Sequence, residues 1–214
     1  ARCHLELSYL KGQMRVGTGM AGFIEALQGI RGNFSEEERQ EAVAVALREM
    51  EENGITGLGD ICNDISTREL KKSASHLDVR NFAEAFGLDP RQAQPTFEQA
   101  LILSRKFPRP SHPTLHAPYS VSPALRDLVA RPVAMREVPI SIHLLESAEE
   151  RQLFEDLEGP MFDLFHHKWR LPFSPHTHDS PIDYLLDHLH DNHNILLVHC
   201  VELRPDETER IVKE

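Results

Sequence analysis

The sequence is short of cysteine, of long apolar runs and of positive charge, and each shortage removes a class of protein. Its three cysteines, Cys3, Cys62 and Cys200, form no CxxC pair. A sparse, odd count argues against a disulfide scaffold and for a reducing compartment, so a cytoplasmic location is expected. No stretch reaches the roughly 18 consecutive apolar residues of a membrane helix, and no membrane partner is expected. Lys and Arg number 23 against 34 Asp and Glu, a net charge of −11. Such a surface repels phosphate backbones, so nucleic acid is not expected as a partner either. No GxGxxG or GxxxxGK loop follows an apolar run, which leaves a nucleotide-binding open sheet without support. The opening, Ala1 to Glu6, lacks the basic-then-apolar plan of a signal peptide and begins without Met, so a processed or truncated end is expected.

What remains is a chain of 214 residues, 40% hydrophobic and 27% charged, enough for one ample core and short of two domains. Apolar runs at 3–7, 55–61, 77–82, 114–119, 138–145 and 194–200 read as strands. Those at 139–144 and 195–198 suit strands buried on both faces. Helices fill the gaps. Ser35 and Glu38 form a capping box, followed by Val43, Leu47 and Met50 on one face and a stop at Asn53-Gly54. Ser147 and Glu150 suggest a second box, with Leu153, Phe154 and Leu157 inward. Ser122-Pro123 and Ser180-Pro181 open two more helices. They turn Leu125, Leu128 and Val129, and then Ile182, Leu185, Leu186 and Leu189, inward. Strands alternating with helices mean a parallel sheet, either open and doubly wound or closed as a barrel.

Four polar clusters fall at expected strand ends: Cys3-His4-Leu5-Glu6-Leu7-Ser8, His116-Ala117-Pro118-Tyr119-Ser120-Val121-Ser122, Ile142-His143-Leu144-Leu145-Glu146-Ser147 and Leu197-Val198-His199-Cys200-Val201. In a parallel barrel those ends carry the active site. A lone histidine there is more often structural, but four clusters from four strands weigh together. Neutral imidazole is a good zinc ligand, and His143 and His199 on adjacent strands could converge on one ion. Glu146 lies where a strand turns into a helix. It suits a general acid/base near such an ion, or simply an acidic helix start.

These segments, in this order, resemble the amidohydrolase superfamily. The resemblance is to the branch of adenosine-type, S-adenosylhomocysteine and aminofutalosine deaminases and chlorohydrolases. His116-Ala117-Pro118-Tyr119-Ser120 is its most specific match, and Gly59-Asp60-Ile61-Cys62-Asn63 resembles the second strand. The resemblance implies a (β/α)8 TIM-like barrel, of which residues 1–214 form a single, partial hydrolase domain of six strands. It implies one divalent metal, zinc or else iron, with His4 and His143 as ligands and His199 at the metal and its water. It also implies Glu146 as proton shuttle, His116 on a small-molecule substrate, and hydrolytic deamination of an amino-purine nucleoside or related amino-heterocycle through metal-activated water.

Two departures accompany the match. Arg2 stands where the first histidine of the HxH pair is expected, and a guanidinium has no lone pair to give. The Asp expected after an eighth strand, the last strands and the flanking β domain have no counterpart in the sequence. An incomplete barrel exposes sheet edges, so a homo-oligomer is expected. The alternative to an enzyme is a degenerate barrel that binds a ligand or partner without turnover. A histidine-rich metal buffer ranks below both. His166, His167, His176, His178, His188, His190 and His193 read as a solvated helix and loop, and Phe165 and Trp169 as a cover on the barrel.

Overall fold

The computed structural model describes residues 1–109, 111–134, 139–171, 180–189 and 194–213. His176, His178, His190 and His193, and the side chain of His188, lie outside the described residues, as does the Leu189 side chain.

The strands are β1 (Arg2–Cys3), β2 (Gly57–Cys62), β3 (Asp78–Ala85), β4 (Pro113–Leu115), β5 (Ile140–Leu144) and β6 (Ile195–His199). β1 to β4 pair in sequence order and in parallel, with Cys3 opposite Asp60 and Asp60 opposite Asn81. β5 and β6 form a second parallel pair, His143 opposite Val198. The two sheets meet at a seam that the sequence closes with a side chain. Thr114 Oγ1 accepts from Ser141 N–H and donates to Ser141 O, and His143 N–H donates to His116 O at 2.8 Å. The six strands therefore follow one another in parallel, as in an incomplete (β/α) barrel.

The helices are α1 (Gly19–Ile30), α2 (Glu36–Glu52), α3 (Arg68–Ser73), α4 (Ala93–Ser104), α5 (Pro123–Ala134), α6 (Ala148–Glu155), α7 (Gly159–Phe162), α8 (Pro181–Leu189) and α9 (Pro205–Lys213). The first capping box is complete: Ser35 N–H donates to Glu38 Oε2 at 2.7 Å and Glu38 N–H to Ser35 Oγ at 3.2 Å. Val43 and Leu47 are buried as the pattern required, with Met50 packed beside them. Leu125, Val129, Ile182, Leu185 and Leu186 join Ile140, Ile142 and Leu144 in the main core.

Several expectations are corrected. The strand expected at 3–7 ends at Cys3. Leu5 N–H is taken by the Asp60 carboxylate at 2.9 Å, and the chain turns into a 3₁₀ segment, Leu5–Leu10. The strand expected at 114–119 ends at Leu115, because Pro118 opens the 3₁₀ turn Pro118–Ser120. β3 runs three residues beyond the expected 82, which carries Glu84 toward the strand ends. The second capping box is only half made. Ser147 Oγ accepts from Glu150 N–H at 3.3 Å, but the Glu150 carboxylate turns instead to Glu146 N–H at 3.0 Å. β5 is buried throughout, whereas β6 leaves Leu196 45% exposed, since among the described residues it pairs with β5 alone.

Candidate metal centre

His4 just after β1, Glu84 on β3, His116 after β4, His143 on β5 and His199 at the end of β6 all fall at one end of the parallel strands. His143 is the hub and is 7% exposed. Its Nε2 lies 2.9 Å from Arg2 Nη2 and 3.4 Å from His4 Nε2. Its Nδ1 lies 2.9 Å from His199 Nε2. The His116 ring sits 5.1 Å away, centroid to centroid.

These contacts fix the tautomers. A guanidinium only donates, so His143 Nε2 is the acceptor and Nδ1 carries the proton, which it donates to His199. Burial, reinforced by the neighbouring His116 and Arg2, holds the His143 pKa far below the usual histidine range. Burial lowers that of His4 as well. Both rings are therefore neutral with lone pairs to offer, the state a metal ligand needs. His116 is set by its own motif. Ser120 Oγ gives its proton to Ala117 O at 3.1 Å and so accepts from His116 Nδ1–H at 2.6 Å, leaving His116 Nε2 with its lone pair. Beneath it Tyr119 packs edge-on at 5.7 Å, and Phe165 packs on Tyr119, the cover expected of it.

The donor set fits a divalent cation. Two nitrogens on a tetrahedral ion at 2.0–2.1 Å lie about 3.3–3.4 Å apart, and His4 Nε2 and His143 Nε2 are 3.4 Å apart. Among the described residues two groups bring three donor atoms within 4.8 Å of one another: His4, Glu84 and His143, and His143, Glu146 and His199. His4 and His199 thus face opposite nitrogens of His143. Arg2 is the discordant neighbour. Its Nη2 uses the same His143 lone pair and its Nε donates to Ser141 Oγ at 3.1 Å, so an ion must compete with it.

The Glu146 and His199 side is built on strained turns. Leu145, His199 and Cys200 adopt positive φ of 48°, 75° and 55°, a conformation that costs a β-carbon-bearing residue about 1–3 kcal/mol and clusters at functional sites. Cys200 N–H and Val201 N–H, donating to Leu144 O and Leu145 O, tie the two strand ends together. Glu146 leaves this turn with Oε1 3.4 Å from His199 Nε2 and Oε2 3.8 Å from His143 Nδ1.

Under Glu146 lies Glu150, fully buried, with Oε1 lacking any hydrogen-bond partner. Burial raises its pKa from 4.5 to about 7, against the backbone donors of Glu146 and Leu145. A carboxyl whose folded pKa is raised stabilises the fold fully below its unfolded pKa. That contribution is lost as pH climbs from 4.5 to about 7, roughly 3 kcal/mol in all. Glu150→Gln removes this dependence. Urea unfolding at pH 4.5 and 7.5 is expected to show the wild type losing roughly 3 kcal/mol more than the variant; equal losses would refute it.

Glu84 was missed by the sequence motifs, and Glu150 was read only as part of a helix cap. The one signal for Glu84 was an acidic residue inside the apolar run Phe82-Ala83-Glu84-Ala85. Asp60, Lys71 and Asn81 form a buried polar cluster, and Asp60 also accepts from Leu5 N–H in the segment after β1. His166 and His167 are exposed, on the solvated face expected of them. A cavity of about 550 Å³ touches the centre through His4 and is otherwise lined by side chains such as Leu7, Met14, Phe23 and Leu27.

Comparison with known proteins agrees with this architecture. No protein-family model and no curated protein matches the chain, but solved structures do. An aminofutalosine deaminase from Helicobacter pylori, in complex with methylthio-coformycin, aligns at 24% identity and TM-score 0.82, over 100% of this chain and 52% of its own. A zinc-complexed atrazine chlorohydrolase from Arthrobacter aurescens aligns at 15% and 0.68, over 99% and 50%. A guanine deaminase from C. acetobutylicum with bound guanine aligns at 13% and 0.63, again over 99% and 50%. The fold is an incomplete (β/α) barrel. These structural neighbours are deaminases and a chlorohydrolase, and the chain spans about half their length.

Proposed function

We propose that this chain carries the metal- and proton-handling part of a hydrolase that deaminates an amino-purine nucleoside or a related amino-heterocycle. The carrying observation is the pair of neutral imidazole nitrogens 3.4 Å apart, flanked at the same strand ends by Glu146 and His199. Two of the neighbours are deaminases solved with purine-like ligands, and a third was solved with zinc. That supports the reading.

His4 and His143 would hold the ion, zinc or else iron, on the Nε2 side of His143, with His199 across the ring at its Nδ1. When bound, the ion acidifies a water and polarises the substrate. Glu146 would pass a proton from the attacking water to the ring nitrogen and then to the leaving amine, so that ammonia departs as the ring carbon gains the water's oxygen. His199 would steady the attacking water, and His116 Nε2 would meet the substrate. The apolar cavity beside His4 suits an apolar substituent of the substrate. The single-sided pairing of β1 and β6 among the described residues fits self-association.

A second reading, a barrel that binds without turnover, is favoured by the Arg2–His143 hydrogen bond. Ammonia release by the purified chain from a panel of aminopurine nucleosides separates the two. Release that a chelator abolishes and zinc restores is expected. No release from the zinc-loaded chain on any member would favour the second reading.

A further inference from the structure

We infer that Glu84 is a metal ligand in this chain, completing with His4 and His143 a site of two imidazoles and one carboxylate. The inference rests on the reading that these strand ends hold a metal, and it names a ligand that the HxH resemblance does not supply. Arg2 stands at the position of the first histidine and cannot coordinate, so a cation held by His4 and His143 needs another donor.

Glu84 is placed to be that donor. It is 8% exposed, and its Oε1 has no hydrogen-bond partner. Buried carboxylate oxygens are normally satisfied. One oxygen of Glu84 and one nitrogen each of His4 and His143 lie within 4.8 Å of one another, within reach of a common ion after small side-chain rotations. Glu84 Oε2 is anchored. Asn63 Nδ2 donates to Glu84 Oε2 at 3.1 Å, and Asn63 is itself clamped by Glu6, through Nδ2 at 2.7 Å and N–H at 2.9 Å. Such an outer partner orients a ligating carboxylate. His4 Nδ1 is likewise buried without a partner.

Two imidazoles and a carboxylate form a known catalytic zinc set, three protein ligands leaving one position open. The competing group, His143, Glu146 and His199, would use the other nitrogen of His143 and would consume the carboxylate that carries protons. With Glu84 as ligand, Glu146 and His199 stay free for that work. Ion binding takes the His143 lone pair from Arg2, which then pairs elsewhere.

The test is a zinc titration of the full chain against a chromophoric chelator, for wild type, Glu84→Gln and Glu146→Gln. An outer partner of a ligand is worth about 10- to 100-fold in affinity, and a lost ligand at least as much. Glu84→Gln is therefore expected to bind zinc at least tenfold more weakly and to change the visible bands of the cobalt-loaded protein, while Glu146→Gln stays near wild type. Glu84→Asp guards against a folding failure. It keeps the charge on a shorter stem and is expected to fold, bind at intermediate affinity and shift the cobalt bands. Wild-type affinity and spectrum in the Glu84 variants, with zinc bound by the wild type, overturns the assignment and leaves the metal reading standing. Loss of zinc on Glu146→Gln alone moves the ion to the other side of His143. A wild type that binds no zinc overturns both.

Discussion

Glu146→Gln is expected to lower ammonia release by about 10²- to 10⁴-fold, the usual worth of a general acid/base, with the unfolding midpoint unchanged. The position alone was ambiguous, since an acidic residue before a helix can simply cap it. The structure separates the two roles. The α6 start is capped by Ser147 Oγ, which accepts from Glu150 N–H, while the Glu150 carboxylate accepts from Glu146 N–H. The Glu146 carboxylate instead faces His199 Nε2 at 3.4 Å and His143 Nδ1 at 3.8 Å. A Gln keeps the volume and the backbone bond but has no proton to exchange. The loss should fall on kcat with KM little changed, because the proton moves only along the reaction. A variant with kcat within threefold of wild type would sink the role. A variant that also unfolds early would restore the capping explanation.

How much of this was legible depended on what each residue needed from distant parts of the chain. The strand within 139–144 was readable because an apolar run buried on both faces leaves a continuous signal. α2 was readable because Ser35 and Glu38 satisfy each other locally. α1 was not, since it begins at Gly19 and carries Gly22 and Gly29, residues of low helix propensity. The histidines His4, His116, His143 and His199 stood out because each closes a strand in a recognisable run. Glu84 has no such run. Its partners, Asn63 on one side and His4 and His143 on the other, come from other strands. The truncation of β1 is of the same kind: it depends on Asp60 capturing Leu5 N–H from 55 residues away. Arg2 was legible as a departure, but its bond to His143 was visible only in three dimensions.

Asp60 also carries the largest expected effect on stability. Lys71→Met is expected to cost about 3–5 kcal/mol, the usual result of removing one partner from a buried ion pair. Lys71 Nζ lies 2.6 Å from Asp60 Oδ2, with side chains 5% and 0% exposed. It also reaches Asn81 Oδ1 at 2.5 Å and sits 4.9 Å over the Phe107 ring. Methionine fills the volume of the stem but leaves the Asp60 charge with Leu5 N–H at 2.9 Å, the weak Cys62 thiol donor at 3.3 Å and a long Thr67 hydroxyl contact at 3.4 Å. At about 2–4 °C per kcal/mol for a chain of this size, the melting midpoint should fall by roughly 6–20 °C. The double variant Asp60→Asn, Lys71→Met removes the stranded charge and should recover much of the loss, because the penalty lies in the unpaired ion rather than in the missing attraction. A single variant within about 1 kcal/mol of wild type would show that Asp60 reaches solvent or takes up a proton. The pair also bears on the metal centre. Asp60 pins Leu5 N–H, the first backbone donor beyond His4, so Lys71→Met should loosen His4 and weaken zinc binding. The double variant, whose Asn can still accept from Leu5 N–H, should restore it.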